Sequence, residues 1–276
     1  VALLMRDMAY SVNMKFEPGG SGTASYDVPF GMVQNLGYDK GAHIESRNLY
    51  SHEEWDSLVY DNLSKYGPIL YSGDTQSNEG HEFVCDGYRG DGYYHFNWGW
   101  DGMSDGYFLL TSLNPGYQGT GGSVENLAFD YSHDMVYGLC KPVEGSQAVV
   151  DIYQNDNLMY VNGALRSYFQ YLVSQPEELD LGLWTKNLAT GEEAFHLVET
   201  VEVEKPKFVI TFPDNCELAD GKYKVMPVFR RTGEEGWHFF KCPKKYRNSL
   251  LLDVAEGERT YYTDDPSKII DVKLTD

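Results

Sequence analysis

Two stretches in the first part of the chain carry apolar side chains at helical spacing. The first is the segment 1–14, whose apolar face is formed by Leu4, Met8, Ala9 and Val12. No Ser, Thr, Asp or Asn precedes this segment as an N-cap. We therefore expect the chain to begin inside a helix of a domain that extends further upstream.

The second helix is predicted to begin after Ser51. Glu54 lies three residues beyond Ser51, so the two residues can form a capping box. The apolar residues that follow at helical spacing are Trp55, Leu58, Val59 and Tyr66. The pair Gly67-Pro68 then ends the helix. Between the two helices, residues 18–25 are rich in Gly and Ser and predict a flexible loop.

Short strand-like runs follow the second helix. They cover residues 69–72, 81–88, 93–98, 107–110 and 135–140. The segment Arg89–Gly92 contains two glycines and predicts the turn between the second and third strands. A helix followed by a run of antiparallel strands indicates the α+β class.

The pattern changes near Pro142, where short alternating runs begin to recur with turn residues between them. The predicted strands cover 148–153, 168–173, 181–184, 208–212, 223–229, 237–241 and 269–274. Residues 187–191 and 232–236 predict hairpin loops. This pattern favours an all-β sandwich of the immunoglobulin-like kind. We therefore expect two domains, 1–141 and 142–276, with the boundary at 141–147.

Composition narrows the possible functions. The net charge of −20 disfavours nucleic-acid binding, which needs a basic surface. No stretch reaches the length of a membrane span, and the first residues lack the features of a signal peptide. The four cysteines have no C-x-x-C spacing, which disfavours a structural zinc site. Cys216 and Cys242 could pair, but buried free thiols are the favoured interpretation.

His81 and the pair Asn97-Trp98 form the main chemical constellation. They lie sixteen residues apart on two strands that we expect to be adjacent. A cysteine peptidase needs a thiolate, a histidine that accepts its proton, and a group that orients the imidazole. Asn97 could orient His81, and the Trp98 indole could exclude water from their hydrogen bond. We predict a register in which His81 faces Asn97, with a glycine-assisted bulge, in preference to one in which Val84 faces Asn97.

The same residues also have structural interpretations. A single histidine in a strand is commonly a core or surface residue, and the Asn-Trp-Gly-Trp sequence could be aromatic packing next to a turn. Cys85 shares a face with His81 but lies four residues away, roughly 13 Å along a strand, so we expect a core thiol.

A calcium site is disfavoured because its candidate ligands lack an EF-hand pattern: Asp101, Ser104, Asp105 and Glu125.

The residues 80–123 resemble a known family. The Gly-His-Glu-Phe-Val-Cys-Asp-Gly run, the His-Phe-Asn-Trp-Gly-Trp-Asp-Gly run and the later Gly-Thr-Gly-Gly closely resemble streptopain-type, papain-like cysteine peptidases. Upstream, residues 12–25 resemble the glycine/serine loop of that family, and residues 66–73 resemble the strand before its histidine. The resemblance covers about 1–141 and implies a papain-like fold for that domain. The sandwich is similar to C-terminal extensions of relatives from Bacteroidetes-type bacteria.

The resemblance also implies roles for particular residues. His81 would be the catalytic base, Asn97 its orienting partner and Trp98 the shielding indole. The substrate cleft would be lined by Gly80, Gly20, Ser21, Gly22 and Thr23. The nucleophilic cysteine and the oxyanion donor of the family lie upstream of the segment that matches Val1, so we expect both to come from an upstream segment or chain.

The family further implies secretion, or display at the bacterial cell surface, as a zymogen with an inhibitory pro-segment. It implies endopeptidase action on protein or peptide substrates without a cofactor, and a preference for an apolar residue two positions before the scissile bond. The alternative is a catalytically inactive remnant whose sandwich acts as a binding or adhesion module. In that case a ligand face could be formed by Tyr153, Tyr160, Tyr168, Tyr171, Trp184 and Trp237, although core packing is the favoured interpretation for them.

Overall fold

The computed structural model describes residues 1–18, 20–125 and 127–263, apart from the side chain of residue 210. The chain divides into two compact units, Val1–Val149 and Val150–Asp276. Residue 19 of the expected glycine/serine loop and the strand expected at 269–274 lie outside the described residues. No helix in the described part of the chain has the length and apolar character to cross a membrane.

The first unit contains three α-helices, one 3-10 helix and six strands among its described residues. The helices are α1 Ala2–Ser11, α2 Asp27–Leu36, the 3-10 helix Arg47–Leu49 and α3 His52–Tyr66. The strands are β1 His43–Ser46, β2 Ile69–Asp74, β3 Gly80–Tyr88, β4 Tyr93–Asn97, β5 Gly106–Leu109 and β6 Tyr131–Tyr137. All of their pairings are antiparallel, and they form one sheet in the order β1-β6-β2-β3-β4-β5.

The predicted second helix is confirmed in detail. Ser51 caps α3, and its side chain and that of Glu54 form the reciprocal hydrogen bonds of a capping box. The apolar face of α3 places Trp55 and Val59 in a core with the aromatic side chains of the sheet. The Trp55 indole donates to the hydroxyl of Tyr71 at 2.8 Å, so this buried polar atom is satisfied.

The structure adds α2, which the sequence analysis did not predict. Pro29 lies in its first turn, where a missing N–H costs nothing. Gly31 faces α1, and a Cβ at this position would lie 2.3 Å from the carbonyl oxygen of Ser11. A glycine inside the helix is therefore needed because the two helices approach each other closely.

The second unit consists of two antiparallel sheets. Its strands are β7 Val150–Gln154, β8 Met159–Val161, β9 Ala164–Val173, β10 Glu177–Asn187, β11 Glu193–Val203, β12 Lys207–Pro213, β13 Gly221–Arg231, β14 His238–Phe239, β15 Leu250–Ala255 and β16 Glu258–Tyr262. One sheet has the order β11-β10-β13-β15-β16 with β14 beside β13, and the other has the order β12-β9-β7 with β8 beside β9. Residues 187–191 and 232–236 connect strands as hairpin loops, as predicted.

Aromatic side chains join the two sheets. Phe229 of β13 packs on Phe240, which in turn packs on Phe169 of β9 and Phe212 of β12. Their centroid distances lie between 5.3 and 5.9 Å, within the range of stabilising aromatic pairs. The second unit is therefore sheet-rich, with a core between its sheets.

Candidate active site

His81 lies near the start of β3 and faces Gly73 on β2. A Cβ atom at Gly73 would lie 2.7 Å from the carbonyl oxygen of Phe129 and 3.1 Å from the ring of His133. Glycine is therefore required beside His81. The Phe129 ring approaches the imidazole to a centroid distance of 5.5 Å.

One ring nitrogen of His81 has a fixed partner. The Nε2 atom lies 2.9 Å from the carbonyl oxygen of Trp98. A carbonyl oxygen can only accept, so Nε2 carries the hydrogen and donates it. In the neutral imidazole, Nδ1 then has a lone pair and can accept a proton. A histidine that acts as a general base through Nδ1 needs this tautomer, because Nδ1 must have a free lone pair to accept the proton.

The Nδ1 edge of His81 faces a glycine. A Cβ atom at Gly121 would lie 3.6 Å from Nδ1, and the φ angle of +82° at Gly121 favours glycine there. Both residues line the same cavity. Because Nε2 is taken by the Trp98 carbonyl, Nδ1 is the ring nitrogen left for a reacting group in this cavity.

The surroundings keep the imidazole neutral. Burial lowers the pKa of His81, while the hydrogen bond to the Trp98 carbonyl opposes that shift because it favours the charged ring. The effect of burial is the larger one. His81 is therefore neutral at pH 7 and can act as a proton acceptor.

The indole stacked on His81 belongs to Trp100. The two rings lie 4.8 Å apart between centroids, with an interplanar angle of 13°. The Trp98 side chain is fully buried and packs against Phe83 at 4.4 Å. Trp98, to which the sequence analysis gave the shielding role, thus contributes its backbone carbonyl to His81, and Trp100 contributes its ring.

The pairing of β3 with β4 differs from the predicted register. The sequence analysis predicted that His81 would face Asn97. The structure instead makes Val84 the cross-strand partner of Asn97. The predicted register is therefore wrong, and the cross-strand position of Asn97 lies about 10 Å along β3 from His81.

The hairpin loop explains this difference. The strand pairing centres the loop on Asp91 and not on Arg89. Gly90 and Gly92 flank this centre with φ angles of +98° and +83°, which favour glycine. A bulge before Gly87 then takes up one extra residue on β3. The predicted bulge is present, but the loop lies further along the chain than expected.

Asn97 forms a local turn. Its Oδ1 atom accepts a hydrogen bond from the backbone N–H of Gly99 at 2.9 Å. In the described part of the chain the Asn97 side chain has no hydrogen bond to the His81 ring. The turn that it closes contains Trp98, whose carbonyl holds Nε2 of His81. The predicted orienting role of Asn97 stays a prediction.

Asp105 fixes the same turn from its other end. Its Oδ1 atom accepts a hydrogen bond from the backbone N–H of Trp98 at 3.0 Å. Ser104 donates to the carbonyl oxygen of Tyr117 at 2.7 Å and so ties the turn to a later loop. These contacts show that Ser104 and Asp105 stabilise the turn that contains Trp98 and Trp100. The described residues contain no group of three or more side chains that could hold a metal ion.

A cavity of about 780 Å³ lies beside His81. Its lining includes all the residues that the sequence analysis placed in the substrate cleft: Gly80, Gly20, Ser21, Gly22 and Thr23. A backbone bridge between Lys15 and Gly22 and a hydrogen bond from Thr23 to the carbonyl of Val12 close the loop. The predicted cleft residues and His81 therefore surround one space.

Sequence comparisons identify proteins that are similar to this chain. Residues 1–108 match the peptidase C10 family. The thiol protease/hemagglutinin PrtT of Porphyromonas gingivalis is 31% identical over 262 residues, which cover 87% of this chain and 29% of PrtT. Streptopain of Streptococcus pyogenes serotype M28 is 39% identical over 122 residues, or 44% of this chain and 30% of streptopain.

The chain is thus similar to streptopain-type cysteine peptidases, and residues 1–108 carry the match to the C10 family. It spans about 30% of the length of the curated relatives that it matches.

A cysteine peptidase needs a nucleophilic thiol, so each cysteine of the chain is a candidate for that role. All four are free thiols, so Cys216 and Cys242 form no disulfide with each other. Burial raises the pKa of Cys85 to about 12 and that of Cys242 to about 11. Burial also raises the pKa values of Cys140 and Cys216. A raised pKa suppresses the reactive thiolate. Cys85 lies in the aromatic core, as predicted.

Three carboxyl groups, which the sequence analysis missed, line the cavity beside His81: Asp74, Glu82 and Asp134. Glu82 and Asp134 face Ser72 from the two neighbouring strands. Burial raises the pKa of all three, and for Asp134 it raises the pKa to about 7. The sequence contains one signal for these carboxyl groups, namely that charged residues occur within or beside runs that otherwise resemble strands.

Proposed function

We propose that this chain is the histidine-bearing portion of a secreted cysteine endopeptidase. The observation that carries the proposal is the orientation of His81. Its Nε2 atom donates to the Trp98 carbonyl, and its Nδ1 edge faces the cavity beside Gly121. In this proposal a segment outside the chain supplies the nucleophilic cysteine and the oxyanion donor.

The geometry supports acyl transfer with His81 as base and then acid. Nδ1 accepts the thiol proton, and the thiolate attacks the carbonyl carbon of the scissile peptide. The imidazolium returns that proton to the leaving amine, and an acyl-enzyme thioester remains. A water molecule then gives its proton to Nδ1 and attacks the thioester, which releases the acid and restores the thiol. The Trp98 carbonyl stabilises the imidazolium in both steps.

Asn97 would orient the base through the backbone. Its side chain binds the N–H of Gly99 and closes a turn around Trp98. This turn sets the direction of the carbonyl that holds Nε2 of His81. The Trp98 indole, buried below the turn, would keep water from that hydrogen bond. Both residues then act on His81 without a direct contact between the side chains of Asn97 and His81.

We also propose that the cavity binds an extended stretch of a protein substrate, with an apolar residue two positions before the scissile bond. The lining residues Gly20, Gly22 and Gly80 leave space for a peptide backbone. Backbone groups without side chains can pair with an extended peptide as an added strand would. Residues 20–25 and Gly80 form two walls of the same cavity.

The test of the proposed chemistry uses the complete protein that contains this chain. An epoxysuccinyl probe should label one cysteine outside residues 1–276, and casein should be hydrolysed. His81→Ala should abolish both reactions, whereas His238→Gln, in the second unit, should leave them unchanged. Retention of full activity by His81→Ala would contradict the proposal.

Secretion as a zymogen is part of the proposal and rests on the resemblance to streptopain. The inhibitory pro-segment would occupy the cavity beside His81 until it is cleaved. Mass spectrometry of culture supernatant and cell extract should then find the shorter, processed form outside the cells. Recovery of only an unprocessed, intracellular form would contradict this part of the proposal.

A second candidate function is binding or adhesion through the second unit, as an immunoglobulin-like sandwich, on a scaffold whose peptidase site is inactive. Two observations favour the binding role. The relative PrtT is named a hemagglutinin as well as a thiol protease, and its match covers most of this chain. The second unit carries an apolar patch on its larger sheet, formed by Trp184, Phe195, Leu197, Trp237 and Phe239. Phe195, Leu197 and Phe239 are 47%, 55% and 45% exposed.

The test of this second function is binding of the 276-residue chain to red cells. Phe195→Ser and Leu197→Ser should weaken binding if the patch takes part, whereas Tyr117→Ser, in the exposed part of the first unit, should not. No binding by the unmodified chain would exclude this role for the chain. Full peptidase activity of the complete protein would exclude the inactive scaffold.

A further inference from the structure

Strand β11 forms one edge of the larger sheet of the second unit. It pairs with β10 on one side, and in the described part of the chain no strand pairs with its other side. On that side its backbone groups form no hydrogen bond with the backbone of the described residues. An edge of this kind is a template on which an extended peptide can add as a further strand.

This edge lacks the residues that commonly protect edge strands, which are lysine and proline. At the opposite edge of the same sheet, β16 has five residues and includes Arg259. At an edge of the smaller sheet, β12 includes Lys207 and Pro213. Strand β11 has eleven residues and no lysine, arginine or proline, although Val198 has no cross-strand partner and forms a bulge. Of these three edges, β11 is the most open to strand addition.

The face of β11 that points away from the core has exposed apolar side chains in the middle and carboxylates at the ends. In order, its exposed residues are Glu193, Phe195, Leu197, Thr200 and Glu202. Their partners alternate along β10, so the five side chains share one face. The core lies on the other face, where Leu181 of β10 pairs with Phe229. An added strand would therefore meet apolar side chains at its centre and carboxylates towards its ends.

Charge determines which partner fits this edge. Glu199 and Glu202 form no ion pair with the described residues, whereas Glu193 pairs with Lys186 at 2.9 Å. A second copy of β11, added antiparallel about its centre, would place Glu193 beside Glu202, and like charges in that position destabilise a sheet. A cationic segment would meet opposite charge at the same positions.

We propose that the open edge of β11 binds an extended, cationic peptide segment as an added strand. Apolar side chains of the segment pack on Phe195 and Leu197, and its lysine or arginine side chains lie near Glu199 and Glu202. The inference goes beyond the adhesion proposed above, with which it shares Phe195 and Leu197, because it names the chemistry of the partner and its mode of binding.

The probe is a fluorescein-labelled synthetic peptide, Lys-Thr-Val-Thr-Leu-Thr-Val-Thr-Lys, which as a strand has its apolar and lysine side chains on one face. Fluorescence anisotropy with the 276-residue chain should show saturable binding that weakens as salt rises. The same peptide with glutamate in place of lysine should bind roughly tenfold more weakly. A peptide with proline in place of valine keeps the charge but cannot pair as a strand, and it should not bind. Equal binding of the proline peptide and the lysine peptide would overturn the inference.

A charge reversal on β11 tests the location of the site. Glu202→Lys should weaken binding of the lysine peptide by roughly fivefold and strengthen binding of the glutamate peptide. The matched control is Glu258→Lys on β16, which changes the net charge equally at the other edge of the same sheet. It should leave both affinities close to those of the unmodified chain. Equal effects of the two substitutions would overturn the inference, because binding would then depend on net charge alone.

Hydrogen–deuterium exchange shows where the peptide binds. The lysine peptide should slow exchange of the amides of residues 193–203 and leave those of β16 unchanged. Protection that excludes residues 193–203 would overturn the inference. Sedimentation of the chain alone should show a monomer. A dimer that Leu197→Ser dissociates would assign this edge to a second copy and would also overturn it.

These measurements separate the inference from the proposed adhesion. If the chain binds the lysine peptide at β11 but binds no red cells, only the adhesion fails. If it binds red cells but not the lysine peptide, only the strand addition fails.

Discussion

The Nε2 atom of His81 lies 2.9 Å from the carbonyl oxygen of Trp98, so a backbone group holds the imidazole. The position of that carbonyl depends on the turn after β4, which is closed by Asn97 on one side and by Asp105 on the other. Substitutions that loosen this turn should therefore reach His81 even when they lie far from the cavity.

Asp105→Ala should show this effect. It removes the acceptor of the Trp98 N–H, and a partly buried donor without its partner costs about 1–3 kcal/mol of unfolding free energy. Denaturant unfolding should report this loss, and NMR should report shifted His81 ring signals. Asp105→Asn retains a carbonyl oxygen and should preserve most of both properties. Equal stability of the alanine variant and the unmodified chain would contradict the importance of this contact.

His133 should make the first unit sensitive to acid. Burial lowers its pKa to about 4, and its Nε2 and Nδ1 atoms bond to the Phe129 carbonyl and to the Tyr71 hydroxyl. The unfolded chain, with a histidine pKa of about 6.5, binds this proton more readily. The stability that the neutral ring contributes is complete above about pH 6.5 and is lost as pH falls through about 4. The total loss should be about 3 kcal/mol.

The measurement is the free energy of unfolding of the first unit between pH 4 and pH 7. His133→Gln should flatten this dependence, because glutamine does not titrate. His238→Gln, in the second unit, is the matched control and should leave it unchanged. An unaltered slope in the His133 variant would show that other groups cause the acid sensitivity.

Asp134 should make folding stability depend on pH in the direction opposite to His133. Burial raises its pKa to about 7, so the folded state holds the carboxyl proton more tightly than the unfolded state does. Its contribution to stability is complete below the unfolded pKa of 3.8 and is lost as pH rises through about 7. Asp134→Asn should therefore stabilise the chain at pH 8 by about 2 kcal/mol, a value discounted because the side chain is partly exposed. Equal gains at pH 5 and pH 8 would contradict this cause.

Ser51→Ala should destabilise α3. It removes the side chain that accepts the Glu54 N–H at 3.3 Å, and loss of an N-cap costs about 1 kcal/mol. Ser57→Ala, within the same helix, is the matched control because alanine favours helix interiors. In thermal unfolding, Ser51→Ala should have a lower Tm than Ser57→Ala. The reverse order would show that packing of Trp55, and not the cap, determines the stability of this end.

The local parts of the fold were predictable from sequence. The capping box at Ser51 and the run of strands from residue 69 onward depend on short-range patterns, and the structure has both. Helix α2 was missed because Pro29 and Gly31 normally indicate a break. Gly31 instead fits a close approach to α1, which depends on tertiary contacts.

The candidate site likewise has features that the sequence predicts and features that depend on tertiary contacts. Residue spacing and the family resemblance together singled out His81, and the resemblance singled out the cleft residues that share a cavity with it. The register was wrong because the loop is centred on Asp91, further along the chain than expected, and the bulge before Gly87 offsets that shift by one residue. The contact of Trp100 with His81 could not be deduced, because strand alternation does not fix the path of the turn after β4.

The most direct test of the central claim is the position of the hydrogen on the His81 ring. Long-range ¹H–¹⁵N NMR of the selectively labelled chain at pH 7.5 distinguishes the two ring nitrogens. We predict a neutral ring with hydrogen on Nε2 and a bare Nδ1. A hydrogen on Nδ1 at that pH would contradict it.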